Sequence, residues 1–321
     1  MDENEPTPDE LSPAAAQVAG GTMNFLTEWL DHCRRTVYAP STRLYHYTDA
    51  SGLLGILQSR QIWATNPVFM NDQTELLHSL LMLKEIVGHP TGVGGQAGQP
   101  NDLADRMMIE VADNFYQYLE IYAVCFCAQG DLLSQWRAYG KTVGYAIGFD
   151  PRGLVPLASG QTQLRSVTYD ENIQRSILHD VVRRWRLVFA DIKEPPSDTQ
   201  LGRIRRMGAL TFAVAFAEVA VAFKHGGFQE EQEWRLITRK VPFMPDELFP
   251  TRFRERDGII LSYVEVGLSE IDGQRPLLPI SEVRLGPRPY IDRDGYAVVE
   301  LLKSLGYEDV KVGHSAVPLR A

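Results

Sequence analysis

Leu44-Tyr45-His46-Tyr47-Thr48 reads as the short strand that opens the folded part of the chain, and Glu231-Gln232-Glu233-Trp234-Arg235 opens another far downstream. Side chains alternate faces along a strand, so His46 is expected to share a face with Leu44 and Thr48. Glu231, Glu233 and Arg235 are expected to share another such face, while Tyr45 and Tyr47 point the opposite way, into a core. This arrangement is expected to bring one imidazole and two carboxylates to a single cleft on a sheet.

The remaining composition bounds what such a cleft belongs to. A chain of 321 residues, 44 % apolar and 10 % aromatic, buries one sizeable core, or one core with a large insertion. A formal charge of -9 argues against wholesale coating by nucleic acid or an anionic membrane. Cys33, Cys125 and Cys127 are an odd set without metal-site spacing, which fits a reduced, cytoplasmic compartment. The start, Met1-Asp2-Glu3-Asn4-Glu5, lacks the basic and apolar regions of a signal peptide. The longest apolar run, Ala209 to Phe223, is broken by Glu218 and is too short to span a bilayer, so a soluble protein is expected.

Along the chain, residues 1–21 are rich in Pro, Asp, Glu and Ala and are expected to form a disordered tail ending at Gly20-Gly21. Residues 22–321 are expected to form a single α+β domain with a mixed, partly antiparallel split sheet and flanking helices. Met23 to Val37 has an apolar side of Phe25, Leu26, Trp29, Leu30 and Cys33, the pattern of a docked brace. Strands are expected near Arg43 to Thr48, at Ile62 to Thr65, Tyr122 to Cys127, Gly144 to Phe149, Trp234 to Thr238, Ile259 to Val266, Val283 to Leu285 and Val310 to Val312. Helices are expected at Ser51 to Ser59, Asp72 to Val87, Leu103 to Tyr118, Leu132 to Tyr139 and Asp294 to Leu305. A helical insertion at about 171–224 is split by Glu194-Pro195-Pro196-Ser197. The Gly-rich stretch at 91–99 follows no strand and reads as a surface connection rather than a phosphate cradle.

Arg183, Arg184, Arg186, Arg203, Arg205 and Arg206 in the insertion are either a patch for phosphate or nucleic acid or a solvated helix face balanced by Asp180, Asp191 and Glu194. Asn71, Asp72 and Glu75 read as a helix start. No dinucleotide Gly fingerprint, Walker sequence, zinc motif or serine-hydrolase elbow occurs.

The chain resembles the bacterial domain of unknown function family 2971 from about Leu44 to Arg320. The likeness rests on Leu44 to Thr48, on Ile62-Trp63-Ala64-Thr65 with Phe69-Met70-Asn71-Asp72, and on Leu133-Ser134-Gln135-Trp136-Arg137-Ala138-Tyr139-Gly140 with Gly144 to Asp150. It continues through Phe228 to Arg235, Leu285-Gly286-Pro287, Gly306-Tyr307 and Ser315-Ala316-Val317-Pro318. Gln73 stands where that family commonly has a proline, and Ala128 where its strand continues with a serine nearby.

The order His46, then Ser134 or Tyr139, then Glu231-Gln232-Glu233 is also similar to that of ADP-ribosyltransferases, whose split sheet clasps NAD. That resemblance implies catalytic roles for Glu233, Glu231 and His46, and NAD contacts from His46, Tyr47, Thr48, Tyr139, Ser134 and Arg137. Glu233 would stabilise the oxocarbenium-like centre and Glu231 would deprotonate an acceptor. The competing reading makes Glu231 and Glu233 an ion-pair row with Arg235, His46 a tie for a loop, Tyr139 core, and Trp136 a helix anchor with Arg137 paired to an acid. The function expected is that of an NAD-consuming ADP-ribosyltransferase of toxin or phage-defence type, acting on an unknown macromolecular acceptor. The alternatives are an NAD glycohydrolase, and a non-enzymatic module binding nucleic acid or a protein through the arginine-rich helices.

Overall fold

The computed structural model describes residues 12–36, 40–67, 74–88, 103–139, 144–157, 162–190, 198–240, 249–256, 258–287 and 292–318. The Gly-rich stretch at 91–99, Asn71, Asp72 and the first eleven residues lie outside the described residues. In chain order the elements are α1 (Pro13–Thr36), β1 (Leu44–Thr48), α2 (Ala50–Ser59), β2 (Ile62–Thr65), α3 (Thr74–Gly88), α4 (Leu103–Tyr118) and β3 (Glu120–Cys127). There follow α5 (Leu133–Tyr139), β4 (Tyr145–Phe149), α6 (Pro151–Leu154), β5 (Thr162–Ser166), α7 (Glu171–Phe189) and α8 (Asp198–Ala220). The chain continues through β6 (Glu233–Lys240), β7 (Arg252–Arg256), β8 (Ile259–Val266), β9 (Ile280–Leu285), α9 (Asp292–Ser304) and β10 (Lys311–His314). The fold is α+β, and the chain divides into two compact units.

One unit takes in residues up to Thr36, Gln73–Glu120 and Thr168–Phe223. It holds α1, α3, α4, α7 and α8 around buried Trp185, Phe115, Phe212 and Phe216. Burying each such ring stabilises by about 2–3 kcal/mol. α1 begins at Pro13 and so includes Gly20 and Gly21, which the sequence reading assigned to a tail. Ala15 and Val18 are fully buried on it, as are Phe25 and Trp29 further on, and this apolar side holds the early turns in a helix despite the glycine pair. The Trp29 indole donates to the carbonyl of Ala215 at 2.9 Å. The arginine-rich region is indeed two helices, α7 and α8, but it packs with α1, α3 and α4 as one helical unit rather than standing alone.

The other unit, Val37–Asp72, Ile121–Val167 and Lys224–Ala321, holds the sheet. Its strands run in the order β10-β9-β4-β1-β3-β2-β8-β7, with β6 pairing both β3 and β5. β10 and β9 are parallel, while β1–β4, β4–β9, β2–β8, β5–β6 and β7–β8 are antiparallel. β3 thus pairs with three strands, β1, β2 and β6, and the sheet branches there. One face packs Leu44, Phe126, Ile147, Phe149, Leu164 and Leu236 into the main core. The first helix of the unit, α2, is capped by Asp49, whose carboxylate accepts from the Gly52 amide at 2.8 Å, a cap worth about 1 kcal/mol. Two strands were missed in the sequence, β5 and β7. Thr162-Gln163-Leu164-Arg165-Ser166 and Arg252-Phe253-Arg254-Glu255-Arg256 carry too few apolar residues to stand out from loops.

Candidate functional site

Tyr45 stands opposite Cys127 across β1 and β3, so Tyr45, Tyr47, Cys125 and Cys127 share one face of the sheet. Tyr45, Tyr47, Cys127, Trp136 and Ala146 pack there as a small cluster, with Tyr139 partly buried against it. At the end of the same face lies Glu233, the first residue of β6 and 5 % exposed. Its Oε1 accepts from Arg235 Nε at 2.7 Å, and its Oε2 accepts from Lys224 Nζ at 2.8 Å and from the second terminal nitrogen of Arg235 at 3.2 Å. The Cys125 thiol donates to the same carboxylate.

Glu231 reaches this group by a different route from the one alternation predicts. The strand begins only at Glu233. Gly226–Glu231 form a 3-10 helix capped by His225, whose Nδ1 accepts from the Gly227 amide at 3.1 Å. Gln232 then turns the chain with φ of 43°, in the left-handed region. Glu231 is therefore off the strand row of Glu233 and Arg235. Lys224 restores the meeting: its ammonium lies 2.8 Å from Glu231 Oε2 as well as 2.8 Å from Glu233 Oε2. That ammonium also sits 4.8 Å from the centre of the Phe228 ring, and Phe228 is exposed. Lys224 was not singled out in the sequence, because a single lysine just after an apolar helix carries no motif.

Electrostatics follow from this geometry. Burial pushes the Glu233 carboxyl up, but the Arg235 guanidinium and the Lys224 ammonium outweigh it and hold the group at about 2. Burial pushes the Cys125 thiol well above its usual range, with Glu233 adding to the effect. The Tyr139 phenol is raised by burial and then by Cys125 and Glu233, so it stays a neutral hydroxyl near the carboxylates. The cluster thus combines a buried anion, a second carboxylate nearer to solvent, a shared ammonium and a neutral phenol.

The remaining expected site residues separate. His46 is on the opposite face of the sheet from Glu233, paired in register with the core residue Ile147. Its Nδ1 lies 2.9 Å from the Cys125 carbonyl and its ring meets Phe126 edge-on, with centroids 6.0 Å apart. The expectation that His46 and the two glutamates converge on one cleft is therefore corrected. The alternation that groups His46 with Leu44 also puts it on the face that packs the main core. Thr48 shares that face and packs against α2, where a Cβ on Gly52 would come within 1.9 Å of its hydroxyl. Tyr47 is on the Glu233 side but is spent on structure: its hydroxyl donates to the Gln129 carbonyl at 2.8 Å and accepts from the Leu132 amide at 3.0 Å.

In α5, Trp136 anchors the helix by donating from its indole to Asp131 at 2.8 Å, and Arg137 points to solvent. The Ser134 hydroxyl is buried with no hydrogen-bond partner among the described residues. Asp131 also accepts from the Ala316 amide at 2.7 Å and from the Ser315 hydroxyl, tying the last described segment to α5. On the helical unit, Arg183 and Arg184 pair with Asp180, Arg186 with Asp105 and Arg205 with Glu110. Arg203 and Arg206 are exposed on α8.

A shallow surface depression lined by Arg60, Ile271, Asp272, Gln274, Arg275 and Pro276 shares no residue with the Glu233 cluster. Convergent carboxylates, rather than concavity, mark the Glu233 cluster as the candidate site. Among the described residues, no group of three or more His, Cys, Asp or Glu is placed to hold a metal ion, and no helix is long and apolar enough to cross a membrane.

A family model described as "Protein of unknown function (DUF2971)" matches residues 135–236, which run from α5 to the start of β6 and include Tyr139, Lys224, Glu231 and Glu233. No curated protein and no solved structure matches the chain. The chain is similar to that family over about a third of its length.

Proposed function

We propose that the sheet unit carries an NAD-consuming site of ADP-ribosyltransferase type, with Glu233 as the carboxylate that stabilises the positive centre formed when the nicotinamide glycosidic bond breaks. The observation that carries this reading is the pair of carboxylates held on one ammonium, with Lys224 2.8 Å from each. Glycosidic cleavage passes through an oxocarbenium-like state and requires a carboxylate that is ionised before the substrate arrives. Glu233 meets that condition, since Arg235 and Lys224 keep it charged despite its burial. Glu231 is nearer solvent and takes the proton of the attacking group. Tyr139 contributes an aromatic face and a neutral hydroxyl on the same side. His46 and Thr48, on the other face of β1, take no direct part in the reaction.

The test is incubation of the purified protein with NAD, with nicotinamide and the ADP-ribose product measured separately. Nicotinamide together with ADP-ribose attached to an added protein or nucleic acid supports transfer. Nicotinamide with only free ADP-ribose supports the glycohydrolase form, in which Glu231 activates water. Absence of nicotinamide at millimolar NAD would reject both. The rival, a binding module using the arginine-rich helices, is weakened because Arg183, Arg184, Arg186 and Arg205 are already paired with acids of their own unit.

A further inference from the structure

The two carboxylates of the cluster are not brought together by the strand that the sequence offers. The 3-10 turn and the left-handed Gln232 take Glu231 out of the β6 row. Two carboxylates placed side by side repel, so an unbridged Glu231 would swing toward solvent. The Lys224 side chain is 10 % exposed, and its ammonium contacts both acids at 2.8 Å while its other side rests on the Phe228 ring.

The groups facing Glu233 are Lys224, Arg235 on β6 and the Cys125 thiol on β3, with the Tyr139 phenol on α5 and Glu231 close enough to act on them. Cys125 and Tyr139 are both kept protonated by burial, so among these groups only Lys224 and Arg235 supply positive charge. Arg235 is bidentate on Glu233, through Nε to one oxygen and a terminal nitrogen to the other, and it sits in strand register with Arg165. It is placed to fix Glu233, whereas Lys224 is the contact shared with Glu231.

We infer that Lys224 is a positioning residue of the site, an ammonium that holds Glu231 beside Glu233 in the geometry the reaction uses. This rests on the carboxylate-pair reading above, and two readouts separate its failure from that of the enzyme reading. In the first, Lys224→Met lowers kcat for nicotinamide release by about 100-fold, the size of a lost acid–base contribution, while KM for NAD changes little. Lys224→Arg, which keeps the charge, restores most of the rate. In the second, which needs no activity, the Glu233 carboxyl is titrated by carbon NMR. Its midpoint, held low in the wild type by Arg235 and Lys224, moves up measurably in Lys224→Met and stays near the wild-type position in Lys224→Arg.

Should wild type release no nicotinamide, the enzyme reading falls and the titration alone decides. A midpoint unchanged in Lys224→Met would overturn the positioning role, as would a normal kcat in an active protein. If the methionine variant does not fold, Lys224→Leu, which likewise removes both the charge and the bridge, is read in its place by the same two measurements.

Discussion

Tyr45 and Cys127 face each other across β1 and β3, and that one pairing divides the candidate residues between the two sides of the sheet. Cys125, on the Tyr45 side, meets Glu233, while His46, one residue out of step, stands half-buried on the face that packs the main core.

Replacing His46 by alanine should therefore cost stability and leave NAD binding in place. The lost contacts are the ring nitrogen on the Cys125 carbonyl and the edge of Phe126, together worth about 1–2 kcal/mol. Calorimetric titration of NAD alongside a thermal melt checks this. A lower melting point with unchanged affinity is the expected result, and loss of binding without loss of stability would return His46 to the site.

Glu233 makes stability depend on acid. Its folded-state value, about 2, lies below the ordinary 4.5, so the stabilisation is fully present above about pH 5 and is lost as pH falls toward 2. A shift of that size corresponds to something on the order of 3 kcal/mol. Urea unfolding followed from pH 6 down to pH 2.5 should show the loss. Glu233→Gln should remove this component of the slope, and should itself destabilise by about 3 kcal/mol at pH 7, because it leaves the Lys224 and Arg235 charges without their shared anion.

Asp131→Ala should loosen the segment after β10. The carboxylate gathers the Trp136 indole, the Ser315 hydroxyl and the Ala316 amide, and losing all of these contacts costs about 1–3 kcal/mol. Hydrogen exchange at the Ala316 amide should quicken strongly in the variant. Unchanged protection there would mean that β10 and its neighbours hold the segment without Asp131.

Gly130→Ala should destabilise by about 1–3 kcal/mol, since a Cβ there would approach the Tyr45 ring to 2.4–2.7 Å. The Tyr45 hydroxyl donates to Glu282, and Arg43 and Arg284 pair with the same carboxylate, so the ring has little freedom to retreat. A melting point equal to wild type would show that it does.

Much of the fold was legible because its signals are local. The alternation of Leu44 to Thr48, the apolar sides of α1 and α4, and the long periodic runs of α7 and α8 each specify an element without help from elsewhere. The site was legible only in part. Glu233 lies near enough to Tyr139 to act on its phenol, but the side on which His46 falls depends on the register between β1 and β3, and no local pattern records that. Lys224 escaped notice for a related reason. Its importance comes from a turn that ends in a left-handed glutamine, which extended-strand reasoning had continued straight through.

The most direct test of the Glu233 assignment is the rate of nicotinamide release from NAD by wild type and by Glu233→Gln, with both proteins shown to be folded. Release by wild type and a fall of about a hundredfold or more in the variant is the expected result. Equal release by the two proteins would contradict the catalytic role of Glu233, and no release by either would remove NAD chemistry from this site.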